Sequence, residues 1–232
     1  MVRYIITLLT ILILMSAPSL GADLSKGKAA MTRGDYTAAL EEFKPLAEQG
    51  NSQAQYMLGS MYDFGQGVKK DPSAAAKWYK RAAKKGVMDA QYNLAEMYRF
   101  GDGVSQDDTL AAKWYKMAAK QGDASSQFKI GASYAEGIGI PQNVNTAAKW
   151  FKKAAEQGHS DAMINLSINY FTGVGMKEDH AYAYMWLKIA QTNGNENGKE
   201  FMSLLENVID RSQVKRAKKL ARECIAKDYK GC

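Results

Sequence analysis

The side chains in this sequence that could carry catalytic or metal-binding chemistry are few and widely separated. The two histidines, His159 and His180, are 21 residues apart, lie outside any His-Glu-x-x-His motif and have no cysteine near them. A zinc site requires several such ligands to converge at one point. The aspartates and glutamates show no repeated pairing of the kind that a glycosidase uses. The sequence therefore predicts no metal site, no cofactor and no catalytic set.

A second chemical motif, Ser-x-x-Lys, places a lysine amine beside a serine hydroxyl in penicillin-recognising enzymes. It occurs here three times, as Ser25–Lys28, Ser126–Lys129 and Ser212–Lys215. The Lys-Thr-Gly and Ser-Asp-Asn motifs that accompany it in those enzymes are missing from the sequence. We interpret the three occurrences as chance in a lysine-rich chain and predict that the protein is not an enzyme. A penicillin-interacting cell-wall enzyme remains the alternative.

The elements that would position any site come from a segment that returns along the chain, for example AAAKWYKRAAKKG at residues 74–86. The repeat shows most clearly in the tryptophans, which lie 36 residues apart at Trp78, Trp114, Trp150 and Trp186. Repeats of this length, rich in alanine and lysine, predict an all-α fold, an α-solenoid built from helix pairs. Trp114 lies on the apolar side of its predicted helix, and we expect it to be buried.

Each unit also carries a Gly-x-Gly loop, beginning at Gly65, Gly101, Gly137 and Gly173. These loops follow a helix pattern instead of a strand and lack a third glycine, so they are not dinucleotide-binding motifs. Glycine suits the positive backbone angles that follow a helix end. We predict that the loops turn the chain and carry no chemistry.

The combined pattern A-x-x-x-L-G-x-x-Y-x-x-G-x-G-V-x-x-D-x-x-x-A-x-x-W-x-x-x-A-A-x-x-G resembles the Sel-one-like repeat family, relatives of the tetratricopeptide repeat. Four units match it, at residues 51–86, 87–122, 123–158 and 159–194. The resemblance implies a right-handed superhelix of antiparallel helix pairs that acts as an adaptor for other proteins. In bacteria such proteins are often exported and linked to envelope regulation or host contact. Met176 in the fourth unit departs from the pattern, and its packing is expected to differ.

Residues 1–22 do not belong to the array. Arg3 precedes an apolar run of 12 residues from Tyr4 to Met15, and small residues follow it. This arrangement is typical of a secretory signal peptide, and it predicts a periplasmic or secreted protein. The alternative is an uncleaved membrane anchor, but the run is shorter than the roughly 18 to 20 residues that a spanning helix needs. We therefore expect no stable membrane insertion after cleavage.

The two ends of the array have atypical sequences, as terminal units of solenoids do because their outer faces meet water. Residues 23–50 resemble one helix pair without a tryptophan, and residues 195–232 predict C-terminal capping helices. The only two cysteines, Cys224 and Cys232, lie in this last segment. A close pair downstream of an export signal predicts one structural disulfide.

The formal net charge of +7 constrains the partners. An exported basic protein meets acidic proteins, anionic glycans or lipid headgroups more readily than nucleic acid. The segment 211–222 has six basic residues and no acidic one. We interpret it as the solvated face of a capping helix, with a docking patch as the alternative. We expect a monomer that does not bind nucleic acid.

What remains is a surface on the first helix of each unit, where residues outside the apolar seam differ from unit to unit. Such variation on a fixed frame predicts a concave groove that binds a protein or peptide. The predicted binding residues are Met57, Met61, Phe64, Asn93, Met97, Phe100, Lys129, Ser133, Asn165 and Asn169. We expect aspartate at Met61 and Met97 to leave the fold intact, whereas Phe64 and Phe100 have the alternative of packing the groove floor. Repeated tyrosine and tryptophan keep a glycan or peptidoglycan binder as a further alternative.

Overall fold

The computed structural model describes residues 22–232, so all but the last residue of the predicted signal peptide lies outside the described residues. The described chain is all-α and contains no strand. None of its helices is both long and apolar enough to span a bilayer. The helices are α1 (Leu24–Thr32), α2 (Tyr36–Glu48), α3 (Ser52–Phe64), α4 (Pro72–Lys84), α5 (Met88–Phe100), α6 (Asp108–Lys120), α7 (Ala124–Glu136), α8 (Val144–Ala155), α9 (Ser160–Thr172), α10 (His180–Thr192), α11 (Lys199–Val208) and α12 (Arg211–Ala226).

From α1 to α10, each helix packs against the next helix along the chain, which confirms the α-solenoid. Each of the four predicted units holds one helix pair, beginning with α3 and α4. Local sequence sets the helix ends. The Asp71 carboxylate accepts a hydrogen bond of 2.9 Å from the Ala74 backbone N–H, and Pro72 occupies the first turn. Side-chain capping and proline at this position both favour a helix start.

Two glycines in the Gly-x-Gly loops allow neighbouring units to approach closely. Gly103 has φ +68°, and a Cβ atom there would lie 2.3 Å from the backbone of Pro72 in the preceding unit. Gly139, also at φ +68°, would place a Cβ atom 2.0 Å from the carbonyl oxygen of Asp108. Any larger residue would clash with main chain and strain its own backbone. The second glycine of these loops therefore sets the spacing between units.

Buried glutamines link the units through a repeated hydrogen-bond pattern. The Nε2 groups of Gln55, Gln91 and Gln127 donate to carbonyl oxygens of the preceding unit at 3.1, 3.0 and 3.2 Å. In two of the three cases a further glutamine completes the set. Gln121 donates to Gln91 Oε1 and Gln157 donates to Gln127 Oε1, each at 2.7 Å. These bonds satisfy polar groups that are out of contact with water.

The first unit departs from this pattern because Lys85 occupies the position of Gln121. The Lys85 ammonium group donates to the Gly50 carbonyl oxygen instead, and the buried Gln55 Oε1 has no hydrogen-bond partner in the described part of the chain. An unsatisfied buried acceptor costs about 1–3 kcal/mol. The repeat thus exposes one local defect in an otherwise regular array.

Lys85→Gln is therefore expected to raise the free energy of unfolding by about 1 kcal/mol, because the new amide can donate to Gln55 Oε1. Urea denaturation followed by circular dichroism measures the change. Lys84→Gln is the matched control, since Lys84 is exposed and its replacement should shift stability by less than about 0.5 kcal/mol. Equal midpoints for the two variants would show that Gln55 is not the source of the defect.

The C-terminal helices cap the array mainly through α12, which packs against α10 although α11 lies between them in the sequence. This contact covers Trp186, which is 0% exposed, together with Ala221 and Cys224 in one apolar cluster. Cys224 Sγ lies 2.16 Å from Cys232 Sγ, at disulfide distance. The predicted burial of Trp114 is confirmed.

Candidate functional site

The first helices of two consecutive units, α3 and α5, each end in an exposed phenylalanine. Phe64 is 68% exposed and Phe100 is 66% exposed, in a fold that otherwise buries most of its large apolar side chains. Each is the last helical residue before a glycine in the left-handed conformation, Gly65 or Gly101, with φ near +70°. The alternative that the two phenylalanines pack the groove floor is therefore wrong.

A pocket of about 480 Å³ contains both phenylalanines, and we call it the aromatic-acidic pocket. The pocket also contains three carboxylates, those of Asp63, Glu96 and Asp102, which are not among the predicted binding residues. The pocket is lined by Asp63, Phe64, Asn93, Glu96, Met97, Phe100 and Asp102. It combines accessible aromatic surface with negative charge, which is the complement of a basic, apolar segment.

Tyrosines from the second helices hold two of these carboxylates in place. Tyr79 OH donates to Asp63 Oδ2 at 3.2 Å, and Tyr115 OH donates to Glu96 Oε1. Burial, reinforced by the neighbouring carboxylate, raises the pKa of both tyrosines well above the ordinary value. Both hydroxyl groups therefore remain protonated donors, and they orient the carboxylates without neutralising them.

A second pocket of about 240 Å³ lies beside the first and contains charges of both signs, so we call it the mixed-charge pocket. Its lining includes Arg99, Asp108, Ala111, Tyr115, Phe128, Lys129, Ala132, Ser133, Glu136 and Ile138. Lys129 Nζ lies 3.3 Å from Glu96 Oε1, so this ion pair joins the two pockets. The Arg99 guanidinium also lies 5.1 Å from the Phe100 ring centroid. The two pockets thus form one continuous surface, called here the A-helix groove.

The structure brings most of the predicted binding residues into this groove. Phe64, Asn93, Met97 and Phe100 line the aromatic-acidic pocket, and Lys129 and Ser133 line the mixed-charge pocket. The other predicted residues lie elsewhere. Met57 is half-buried against the N-terminal helix pair, and Asn169 and Asn165 line neither pocket. The Asn165 side chain donates instead to the Asp161 carbonyl oxygen of its own helix at 2.9 Å.

Two methionines require a correction, because Met61 is 0% and Met97 is 5% exposed. Met61 packs in a cluster with Phe43 and Leu58, and Met97 contributes only to the floor of its pocket. An aspartate at either position would place an unpaired charge in an apolar environment, which is strongly destabilising. The expectation that these positions tolerate aspartate is wrong.

Ser126 and Lys129, one of the three Ser-x-x-Lys motifs, do not have the geometry of a catalytic pair. Ser126 is buried, and its hydroxyl group has no hydrogen-bond partner among the residues that the structure describes, while Lys129 of the same Ser-x-x-Lys motif pairs with Glu96. A serine out of reach of substrate, beside a lysine engaged elsewhere, does not form a nucleophile–base pair. This geometry weighs against the penicillin-interacting alternative.

The histidines likewise take part in local packing. His159 Nδ1 accepts a hydrogen bond of 3.3 Å from the Ala162 N–H at the start of α9, and its ring stacks on Phe128 with centroids 4.7 Å apart. Burial lowers the pKa of His159, which favours this neutral acceptor. His180 Nε2 lies 3.0 Å from Glu178 Oε1. Within residues 22–232, no three His, Cys, Asp or Glu side chains gather as a metal site would require.

Comparison with known proteins assigns the repeat. The Sel1 repeat pattern matches residues 52–87, 89–123, 124–159 and 160–195. A Sel1 repeat protein from Oxalobacter formigenes is 30% identical, with a TM-score of 0.76, and the match covers 85% of each chain. The protective antigen c5321 of uropathogenic Escherichia coli, which has an SLR fold, is 23% identical, with a TM-score of 0.49 over 88% of this chain and 69% of its own. No protein with a curated description matches. The chain belongs to the Sel1 repeat family, whose members are typically non-catalytic protein-interaction scaffolds.

Proposed function

We propose that this protein is a non-enzymatic scaffold that binds a protein or peptide partner in the A-helix groove. The observation that carries the proposal is the pair of exposed phenylalanines, Phe64 and Phe100, in one pocket with three carboxylates. Exposed aromatic side chains in a concave, partly charged site are typical of binding hot spots. The general role of Sel1 repeat proteins supports the same conclusion.

The chemistry of the groove defines the partner segment. Burying one phenylalanine side chain contributes roughly 1.5–3 kcal/mol, so the two rings together favour an apolar or aromatic segment. Asp63 and Asp102 favour lysine or arginine beside those apolar residues, since Glu96 already pairs with Lys129. The Glu96–Lys129 ion pair marks the point where the groove changes from negative to mixed charge. A short peptide with basic and aromatic residues would complement both the carboxylates and the exposed rings of the groove.

We place this binding activity outside the cytoplasm, in the periplasm or beyond the cell. The signal-peptide pattern of residues 1–22 and the cysteine pair at disulfide distance support export. The role would then be envelope regulation or host interaction. Expression of a tagged chain followed by cell fractionation tests the location, and a protein retained in the cytoplasm would contradict it.

A photo-crosslinking experiment tests the groove directly. Replacement of Phe100 with benzoylphenylalanine retains an aromatic ring at an exposed position of the aromatic-acidic pocket. Irradiation of living cells is expected to give one defined protein adduct, identified by mass spectrometry. The control places the same group at Lys77, which is exposed on α4 and lines neither pocket of the groove. The same adduct from both positions, or none from Phe100, would contradict the proposed site.

A further inference from the structure

The last helix carries a stripe of cations that have no acidic partner among the described residues 22–232. Among the six basic residues in segment 211–222, Arg216 binds Asp179 with N–O distances of 3.1 and 2.9 Å, and Lys219 lies 3.7 Å from Glu223. The other four are exposed and form no ion pair within residues 22–232. They are Arg211, Lys215, Lys218 and Arg222. Spacings of four, three and four residues place them on one face of the helix.

These four cations line one side of a cleft of about 610 Å³, called here the basic cleft. The cleft also contains apolar surface from Tyr184 of α10, Ile209 before α12 and Val214. Tyr184 and Ile209 are only 5% and 8% exposed, and this nearly buried apolar part of the cleft is called here the recess. The one carboxylate of the cleft, Glu206, lies 3.4 Å from Tyr184 OH. The charged groups of the cleft therefore sum to a formal excess of positive charge.

Two features of this arrangement go beyond what a solvated capping face needs. Like charges at i and i+4 on a helix are mutually destabilising, and a face that only meets water gains nothing from grouping them. Capping also does not require an apolar recess beside the cations. A ligand with negative charges and at least one apolar group would use both features together.

The shape of the cleft favours a polypeptide. The stripe from Arg211 to Arg222 extends about 16 Å along the helix axis at 1.5 Å per residue. An extended chain rises about 3.3 Å per residue and would cover that length with about five residues. A bilayer is broad and has little access to side chains as buried as Tyr184 and Ile209.

We propose that the basic cleft binds an acidic segment of a partner protein in an extended conformation. Carboxylates of the segment pair with the four cations, and an apolar side chain enters the recess between Tyr184 and Ile209. This surface is built from α10, α11 and α12, whereas the A-helix groove is built around α3, α5 and α7. The proposal does not depend on binding in the A-helix groove.

Fluorescence anisotropy with the purified protein tests this inference. The probe is a fluorescein-labelled peptide of alternating glutamate and leucine, and the comparison probe replaces each glutamate with glutamine. The quadruple variant Arg211→Gln, Lys215→Gln, Lys218→Gln, Arg222→Gln is expected to raise Kd for the acidic probe at least about tenfold. Binding of the acidic probe is also expected to weaken as ionic strength rises, because the contacts are charged and exposed.

The matched control removes four other exposed lysines, as Lys77→Gln, Lys80→Gln, Lys120→Gln and Lys149→Gln. It changes net charge equally but leaves the basic cleft intact, so Kd should change less than about threefold. Equal losses in both quadruple variants would show a general charge effect and overturn the proposal. Equal binding of the glutamine probe would overturn it too.

A sedimentation experiment with vesicles distinguishes binding to a lipid surface from binding to a peptide. Sedimentation with phosphatidylglycerol-containing vesicles is expected to be no more sensitive to the cleft variant than to the matched control. Cleft-dependent sedimentation without binding of the acidic probe would assign the surface to a membrane and overturn the peptide proposal. Equal melting temperatures of the two quadruple variants establish that the comparison concerns binding and not folding.

Discussion

Replacing Phe64 and Phe100 together with serine is expected to weaken binding of the cross-linked partner at least about thirtyfold, with the fold unchanged. Both rings are exposed, at 68% and 66%, so the free protein loses little buried area when they are removed. A complex that buries them would lose at least about 2 kcal/mol, which corresponds to about thirtyfold in Kd. Isothermal titration calorimetry with the identified partner measures the affinity, and thermal unfolding measures the stability.

The matched control removes a similar amount of exposed apolar surface outside the A-helix groove. Leu204 and Val208 on α11 are 62% and 55% exposed and line neither groove pocket. Leu204→Ser with Val208→Ser is expected to leave Kd within about twofold, because these side chains lie away from the partner. Similar losses for the two double variants would indicate nonspecific hydrophobic association. An unchanged Kd for the phenylalanine variant would move the partner out of the groove.

Sequence spacing predicts the solenoid well because each unit repeats the same helix-end signals and the same apolar spacing. An N-cap acceptor such as Asp71 and a left-handed glycine such as Gly65 recur from unit to unit and mark where helices begin and end. The apolar seam between them repeats every 36 residues. These features depend on neighbours a few residues away or one unit away, so one sequence is sufficient to identify them.

The burial of Met61 was not predictable from the same repeat. Its equivalents in the third and fourth units are the polar residues Ser133 and Asn169, and such variation predicts an exposed surface. In the structure, Met61 packs in the same cluster as Phe43 of the N-terminal helix pair. Met97 in the second unit is buried as well, whereas Ser133 and Asn169 are partly exposed, so burial at this position follows the residue type in each unit and not the repeat.

The acidic residues of the groove were missed for a related reason. Asp63 occupies the repeat position where the next unit has Arg99, and Asp102 is the variable residue within a Gly-x-Gly loop. Neither forms a motif with its sequence neighbours. They become a set only when two units stack and place their side chains around one pocket, about 480 Å³ in volume. Residues that differ from the repeat thus build the candidate site, while the repeated residues position them.

The four tryptophans differ in how deeply they are buried, although they have identical spacing in the sequence. Trp78 remains half-buried, with the Arg81 guanidinium 4.3 Å from its ring centroid, whereas Trp186 is 0% exposed. The difference arises because α12 packs on α10 and contributes Ala221 and Cys224 to the cluster that holds Trp186, whereas Trp78 lies at the edge of the cluster around Phe43. Trp186 shares its apolar cluster with Met163, Leu166 and Cys224. Its indole therefore joins the last repeat to the C-terminal cap.

Trp186→Ala is consequently expected to lower the free energy of unfolding by about 3–5 kcal/mol, the usual cost of truncating a fully buried aromatic side chain. Trp78→Ala makes the same chemical change at a half-buried position. It should therefore lower the free energy of unfolding by less than about 2 kcal/mol. Urea denaturation of the two variants under identical conditions gives the comparison. Equal losses would mean that α12 does not shield Trp186 in solution.

A third variant separates apolar packing from the indole N–H, because Trp186 Nε1 is buried and has no hydrogen-bond partner within residues 22–232. Trp186→Phe retains much of the aromatic contact and removes this unsatisfied donor, whose burial costs about 1–3 kcal/mol. The phenylalanine variant is therefore expected to be at least about 2 kcal/mol more stable than the alanine variant. If phenylalanine were as destabilising as alanine, the indole N–H would have a partner, and the cap would be held by that hydrogen bond as well as by packing.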